Sequence, residues 1–360
     1  MLKAYKYRLY PTKNQKVFFA KTFGCVRFIY NKMLADRKQT YEKDKELKIY
    51  FTPAQYKVEF PWLKEIDSLA LANAQMNLDK AYRNFFRELK KGNNQGFPKF
   101  KSKRNNYHTY TTNNQGGNIR LEGNKIKLPK VGFVRIKLHR EYKGLVKSAT
   151  VSQTPSGKYF ISILVDIENF QLEPIINKIG IDLGIKEFAV LSTGEVIKNP
   201  KQLRKLEKKL AKKQKSLSRK VKGSNHRKKA RVQVAKVHEK ITNQRKDFLH
   251  NLSYRLLHEN QVIVIEDLGV KGMIQNHNLA KSISDVGWGE FRRQLEYKAN
   301  WYGKEIIIAP KYYASSQLCS GCGNKSPQTK DLSCRVYNCK VCGLEIDRDY
   351  NASLNLLKLA

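Results

Sequence analysis

Two cysteine pairs near the C-terminal end constrain this chain more tightly than any other feature. Cys319-Ser320-Gly321-Cys322 and Cys339-Lys340-Val341-Cys342-Gly343 each set two thiols two residues apart, and sixteen residues, 323–338, separate the pairs. That is the spacing of paired zinc knuckles. Four thiolates close a tetrahedral shell and leave no open position, so the expected zinc is structural, held by Cys319, Cys322, Cys339 and Cys342. A disulfide framework is disfavoured, because the thiols are too close in sequence and a reducing compartment keeps them free. Cys334 could enter a knuckle only by stretching it to four intervening residues, 335–338, and is read as a bystander. Cys25 stands apart from the cluster, within the helical spacing of Phe19, Phe23, Val26 and Tyr30, and reads as a buried structural thiol.

Charge constrains the partner. In 360 residues there are 70 Lys and Arg against 31 Asp and Glu, a formal charge of +39, and a surface so positive repels itself unless a polyanion neutralises it. Nucleic acid is the natural polyanion. A membrane-binding role is disfavoured, since no apolar run approaches the roughly 20 residues of a span and no signal peptide or lipidation motif is found. The chain therefore reads as a cytoplasmic, nucleoid-associated protein. The 19 Tyr and 16 Phe suit stacking on unpaired bases, although most rings in any domain are core.

The length suits two or three domains, and patterning along the chain suggests where they lie. Lys3 to Leu9 alternates Tyr5, Tyr7 and Leu9 with Lys6 and Arg8, the period of a strand, before Pro11 and Thr12 open a helix. Helical spacing continues to about residue 90, with Leu71, Ala74, Leu78, Ala81 and Phe85 on one stripe. Residues 91–106 form a basic loop around Gly92, Gly96 and Pro98, which Phe97 and Phe100 could anchor. Short strands follow at Ile126–Leu128, Phe133–Leu138, Leu145–Thr150 and Tyr159–Asp166, implying a small β-barrel or curled sheet that the N-terminal strand joins. Residues 167–177 read as a linker. Further on, 201–246 carries nineteen Lys and Arg against Glu207 and Glu239 alone. Leu203, Leu206, Leu210 and Leu217, then Ala230, Val234, Val237, Ile241 and Phe248, give that segment one narrow apolar seam. It reads as a helical hairpin turning at Gly223-Ser224-Asn225, with single-signed faces suited to phosphate rather than to mere solubility.

Against this positive background, acids at element ends stand out. Ile179-Gly180-Ile181-Asp182-Leu183-Gly184 is an apolar strand carrying Asp182, paired with a second strand over 188–192. Val262 to Ile265 is a buried strand ending in Glu266 and Asp267, which face opposite ways and cannot both enter one site. Asp347-Arg348-Asp349 opens the last helix, with Asp347 placed to cap it and Asp349 in its first turn. One acid from each segment gives an all-oxygen ligand set without histidine. Such a set favours Mg²⁺ or Mn²⁺ and phosphodiester hydrolysis.

Taken in order, Gly180-Ile181-Asp182-Leu183-Gly184, Val264-Ile265-Glu266-Asp267-Leu268, Ser315-Ser316-Gln317-Leu318-Cys319 and Asp347-Arg348-Asp349-Tyr350-Asn351-Ala352 resemble the TnpB proteins of insertion sequences, relatives of type V CRISPR effectors. Tyr7-Arg8-Leu9-Tyr10-Pro11-Thr12 and Phe97-Pro98-Lys99-Phe100-Lys101 extend the resemblance over the N-terminal half. It implies a multidomain α+β protein. A wedge β-barrel would occupy 1–10 and 105–170, and an inserted helical recognition lobe 11–104. A RuvC-like nuclease of RNase H fold would occupy 171–312 and 346–360, with its basic hairpin at 201–258 and a zinc-ribbon, target-nucleic-acid-binding insert at 313–345. The resemblance makes Asp182, Glu266 and Asp349 the catalytic acids and magnesium ligands. It also implies a guide RNA and double-stranded target DNA cut beside a short transposon-associated motif. No His/Asn nuclease insertion interrupts the chain, which argues against the IscB relatives. Three other readings fit parts of the same sequence: an RNA-guided binding protein without cleavage, a DNA transposase acting without RNA, and a plain zinc-ribbon nucleic-acid binder.

Overall fold

The computed structural model describes residues 1–44, 51–93, 96–105, 108–168, 171–331 and 333–360. Residues 94, 95 and 106 of the basic loop, and 169 and 170 of the linker, lie outside the described residues. The chain divides into two compact units, 1–168 and 169–360.

The first unit opens with β1 (Leu2–Tyr10), continues through α1 (Lys13–Lys43), α2 (Pro53–Glu59) and α3 (Ser68–Lys90), and ends in six strands. These are β2 (His108–Asn113), β3 (Arg120–Glu122), β4 (Lys125–Leu128), β5 (Gly132–Lys137), β6 (Leu145–Gln153) and β7 (Tyr159–Asp166). All seven strands make one antiparallel sheet in the order β2-β6-β7-β1-β5-β4-β3. The edge strands β2 and β3 do not pair with each other among the described residues. β1 lies centrally, paired along its length with β7 from Leu2↔Asp166 to Leu9↔Tyr159. Alternation fixes its facing, because Tyr5, Tyr7 and Leu9 are buried and Lys6 and Tyr10 exposed. Thr12 and Gln15 cap α1 reciprocally, the Thr12 hydroxyl accepting from the Gln15 amide and the Gln15 side chain from the Thr12 amide. The inner faces of α1 (Phe19, Phe23, Ile29, Met33) and α3 (Leu71, Ala74, Leu78) share one core with the sheet. Cys25 is buried there, and burial pushes its thiol up to about 11, as an inert structural cysteine requires.

In the second unit, β8 (Lys178–Leu183), β9 (Glu187–Leu191) and β10 (Val196–Lys198) precede the helical hairpin α4 (Gln202–Ser218) and α5 (Asn225–Glu259). Then come β11 (Val262–Ile265), α6 (Val270–Met273), α7 (His277–Val286), α8 (Trp288–Tyr302) and β12 (Glu305–Ile308), followed by the ribbon strands β13 (Val336–Asn338) and β14 (Glu345–Asp347) and by α9 (Arg348–Leu357). The five-stranded sheet has the order β10-β9-β8-β11-β12. Its strands β8, β11 and β12 run parallel, whereas β9 runs antiparallel to β8 and β10 antiparallel to β9. Hairpin α4–α5 is held by the seam Leu203, Leu206 and Leu210 against Val234, Val237 and Ile241, and Ser224 caps α5. Phe248, grouped with that seam by its spacing, packs instead into the core of the sheet, because α5 continues past the hairpin onto it.

The two faces of this sheet carry different work. Ile179, Ile181, Leu183, Ile263 and Ile265 pack against Leu249, Leu252 and Leu256 of α5 and Phe291 and Leu295 of α8. Alternate residues Val262 and Val264 turn to the other face, where they meet Leu356 of α9. Gly180 lies on that face too, and α9 crosses directly over it. A Cβ built at Gly180 would stand 2.1 Å from the Ser353 carbonyl oxygen and 2.5 Å from the Leu357 nitrogen, both backbone atoms that cannot swing aside. Gly180→Ala is therefore expected to push α9 off the sheet and destabilise the unit by at least about 1–3 kcal/mol, as overpacking does. A chemical-denaturation midpoint equal to the parent's would contradict this close approach.

Candidate active site

The parity of the strands decides which acids meet. Asp182 shares the α9 face of the sheet with Gly180, two residues before it. In the parallel ladder Ile265 faces Ile181, so Glu266, the first residue past β11, follows beside Asp182, and its charge is felt there. Asp267 points to the opposite face, where Arg292 of α8 donates to it. The third acid arrives from above. Asp349 precedes Ser353 by four residues, one helical turn, and Ser353 sits over Gly180, so Asp349 lies on the side of α9 that faces the sheet. Asp347, whose charge adds a smaller contribution at Asp182, has its carboxylate engaged elsewhere. It caps α9, accepting from the amides of Asp349 (3.0 Å) and Tyr350 (2.9 Å).

Electrostatics register this convergence. Burial, then the charges of Glu266 and Asp349, raise the proton affinity of Asp182 well above that of an ordinary carboxylic acid, with Arg348 working in the opposite direction. Part of the Asp182 side chain still reaches solvent, but protein atoms crowd it on most sides. Glu266 is also raised, by burial first, and Asp349 adds to the effect. A hydrogen bond from the Ser315 hydroxyl to Glu266 offsets part of that rise. Asp349 is held by arginines. The buried Arg348 donates from Nε (3.1 Å) and Nη2 (2.8 Å) to its Oδ1, and Arg335 stands 3.6 Å from its Oδ2.

This donor set is all oxygen and its members repel one another, so a divalent cation would relieve both the repulsion and the raised proton affinity. Among the described residues the three acids do not close to within 4.8 Å of one another, as the four zinc-knuckle cysteines do. Two ions about 3.5–4 Å apart would span a wider set.

The four cysteine sulfurs lie within 4.8 Å of one another, with Cys319–Cys342 and Cys322–Cys339 each at 3.5 Å. A tetrahedron with zinc–sulfur bonds of about 2.3 Å has edges of roughly 3.8 Å, so the cluster fits zinc. The two knuckles are twins. Gly323 and Gly343 each follow the second cysteine of a pair, take a left-handed φ of +78° and +74°, and donate back to the carbonyls of Cys319 (2.9 Å) and Cys339 (3.0 Å). Among these neighbouring thiols, backbone amides of Cys342 and Val341 help to lower Cys339 to about 6, whereas Cys342, despite the lowering by the Leu344 amide, is raised by its contacts with Cys322, Cys339 and Cys319. Cys334 stays outside the cluster, its sulfur 3.3 Å from the Val336 carbonyl.

Sequence reasoning missed three residues around the acids: Ser315, Arg335 and Arg348. Only Arg348 left a signal, standing between Asp347 and Asp349, where a cation between two acids invites pairing.

Comparison with known proteins places the whole chain. Residues 162–277 match a family model described as "Probable transposase", 288–356 one described as "Cas12f1-like, TNB domain", and 1–46 one described as "Helix-turn-helix domain". Over the last of these, the described residues 1–44 form one strand and a single 31-residue helix. A protein of Streptomyces pristinaespiralis named "Putative RNA-guided DNA endonuclease" is 38% identical over 99% of this chain and 88% of its own length. "Putative RNA-guided DNA endonuclease InsQ" of Escherichia coli (strain K12) is 34% identical over 99% of this chain and 92% of its own. In fold, the chain matches a protein solved by cryo-electron microscopy in a Cas12f1-sgRNA-target DNA complex, with a TM-score of 0.62 at 13% identity, covering 99% of this chain and 98% of that one.

Proposed function

We propose, from the premise that this chain belongs to the TnpB family of RNA-guided DNA endonucleases, that it cuts DNA at sites chosen by a guide RNA and that Asp182, Glu266 and Asp349 are its catalytic acids. One observation carries the catalytic part. Acids from two neighbouring parallel strands and from the helix crossing them face one another on a single side of the sheet, and the proton affinities of Asp182 and Glu266 are raised, by burial first and then by the neighbouring carboxylates. The strand order β10-β9-β8-β11-β12, with β9 alone reversed among the five, is the arrangement expected of an RNase H-type nuclease and supports the RuvC-like reading of 171–312 and 346–360.

In this mechanism Asp182, Glu266 and Asp349 would hold Mg²⁺ or Mn²⁺. Bound there, such ions supply an activated water and stabilise the leaving oxygen of an in-line displacement at phosphorus. Ser315 fixes the carboxylate of Glu266 by its hydrogen bond. The arginines Arg348 and Arg335 hold Asp349 in the first turn of α9, and of the two the exposed Arg335 would present positive charge to an approaching phosphate. Phosphate grip lies elsewhere, on hairpin α4–α5, whose exposed faces are almost wholly basic. On this reading the seven-stranded sheet would serve as the wedge (1–10 and 105–170) and its inserted helices as the recognition lobe (11–104). The ribbon over 313–345 would serve as the target-nucleic-acid-binding insert. Base pairing between guide and target would read the sequence, and the protein would read duplex shape and a short adjacent motif.

The transposase description of one matching family model keeps a second reading in view, DNA joining without RNA. Purifying the protein from cells that also carry its flanking DNA, sequencing the RNA that accompanies it, and offering the complex a matching plasmid with Mg²⁺ separates the readings. Cleavage that needs both the RNA and the matching sequence is the expected outcome. Target occupancy without products, or end joining in the absence of RNA, would overturn it.

A further inference from the structure

The final helix is gripped from two sides. Ser353 and Leu357 face the sheet over Gly180, while Asn351 and Asn355, also one turn apart, face the opening segment of the zinc ribbon. Both asparagines are buried, Asn351 completely, and a buried amide is costly unless its hydrogen bonds are made. Here they are made, and all to ribbon backbone. The Asn351 amide nitrogen donates to the Leu318 carbonyl (2.6 Å) while its oxygen accepts from the Ser320 amide (2.8 Å). Asn355 donates to the same Leu318 carbonyl (2.6 Å) and to that of Ser315 (2.8 Å).

These partners flank Cys319, the first zinc ligand, which is itself fully buried and donates from its amide to the Asn324 carbonyl at 2.8 Å. The same segment starts at Ser315, whose hydroxyl holds Glu266. Six residues, 315–320, therefore touch one candidate acid directly, hold the helix that carries another, and shape the first zinc knuckle.

We infer that Asn351 and Asn355 are positioning residues that lock α9 to the first zinc knuckle, so that a loaded knuckle sets where Asp349 stands relative to Asp182 and Glu266. This rests on the reading of the three acids as a divalent-metal site. A leucine at either position would pack as well in an apolar interface but could not fix the register between a helix and a non-helical loop. Two amides reading three carbonyl and amide groups can.

The test is Mn²⁺ binding to the full-length protein, followed by the electron paramagnetic resonance of free Mn²⁺, together with zinc content by elemental analysis. Asn351→Ala is expected to weaken Mn²⁺ binding by about tenfold or more, the usual loss on removing a group that orients a metal ligand, while keeping one zinc per chain. Cleavage by the variant should recover toward the parent at high Mn²⁺, which a general loss of folded protein would not allow. Parent-like Mn²⁺ affinity in Asn351→Ala would overturn the inference. Should that variant not fold, the parent decides: stripping zinc with a selective chelator, then desalting, should weaken Mn²⁺ binding by a similar factor, and unchanged affinity would overturn it. If the parent binds no Mn²⁺ that Asp182→Asn removes, the carboxylate reading itself has failed. If it does bind and Asn351 is indifferent, only the positioning role has failed.

Discussion

Alanine at Asp182, Glu266 or Asp349, introduced singly, is expected to slow target cleavage on the order of 10³-fold or more, the scale seen when one member of an interdependent catalytic set is lost. Guide and target affinity should stay within a few-fold of the parent, because the phosphate contacts proposed for hairpin α4–α5 lie on other elements than the three acids. Pairs of these substitutions should cost little more than one, since a set that works together fails together. The neighbouring acids are the control. Asp267 pairs with Arg292 on the far face of the sheet, a half-exposed ion pair worth at most about 1 kcal/mol, so Asp267→Asn should cut like the parent. Single-turnover rates of the four variants with matched guide and target would check this. Stability without metal should respond in a definite direction too. Asp182 and Glu266 have folded-state pKa values above their unfolded ones, so the stability they contribute is present at low pH and lost as pH rises through the raised values. Asp182→Asn should remove part of that loss and flatten the dependence of the metal-free melting temperature on pH.

Loss of the zinc cluster is expected to have the second largest effect. The ribbon has little core of its own: among the described residues, Cys319, Tyr337 and Cys339 with Leu344 and Ile346 against them. A fold so small draws its stability from metal, whose binding is worth about 10–16 kcal/mol in isolated zinc-finger peptides. Cys319→Ser or Cys339→Ser should therefore unfold the ribbon, open it to limited proteolysis, and abolish bound zinc. Cleavage should fall with it, because the segment next to Cys319 contacts both Glu266 and α9. Cys334→Ser should retain zinc and activity, since that sulfur lies outside the four-cysteine cluster and donates to the Val336 carbonyl. Zinc content and proteolysis at matched protein concentration distinguish the two classes.

How much of this could be read in advance depended on whether a feature was local. The knuckles were legible because both ligands of each pair and the glycine that closes the turn lie within five consecutive residues. The alternation of Tyr5, Tyr7 and Leu9 likewise reported one face of a strand, and the seam of Leu203, Leu206 and Leu210 one face of a helix. What the residues themselves left open was set by partners distant in the chain. Glu266 and Asp267 differ only in parity, and parity acquires meaning once α9 covers one face and α8 the other. Phe248 kept the spacing of the hairpin seam but belongs to the core of the sheet, because a continuous helix gives no local sign of where its partner changes. Short strands such as Arg120–Glu122 and Val196–Lys198 escaped notice for a related reason, three residues being too few to display a period. Ser315 and Arg335 reach the acids only through the folding of the ribbon, and nothing in their neighbourhood in sequence announces it.

Asp182, Glu266 and Asp349 are proposed to share divalent metal. Anomalous diffraction at the manganese edge from crystals grown with Mn²⁺ tests it most directly. Peaks lying between those three side chains, absent in an Asp182→Asn crystal, are expected. No peak there, or manganese bound at other residues with cleavage intact, would contradict the account.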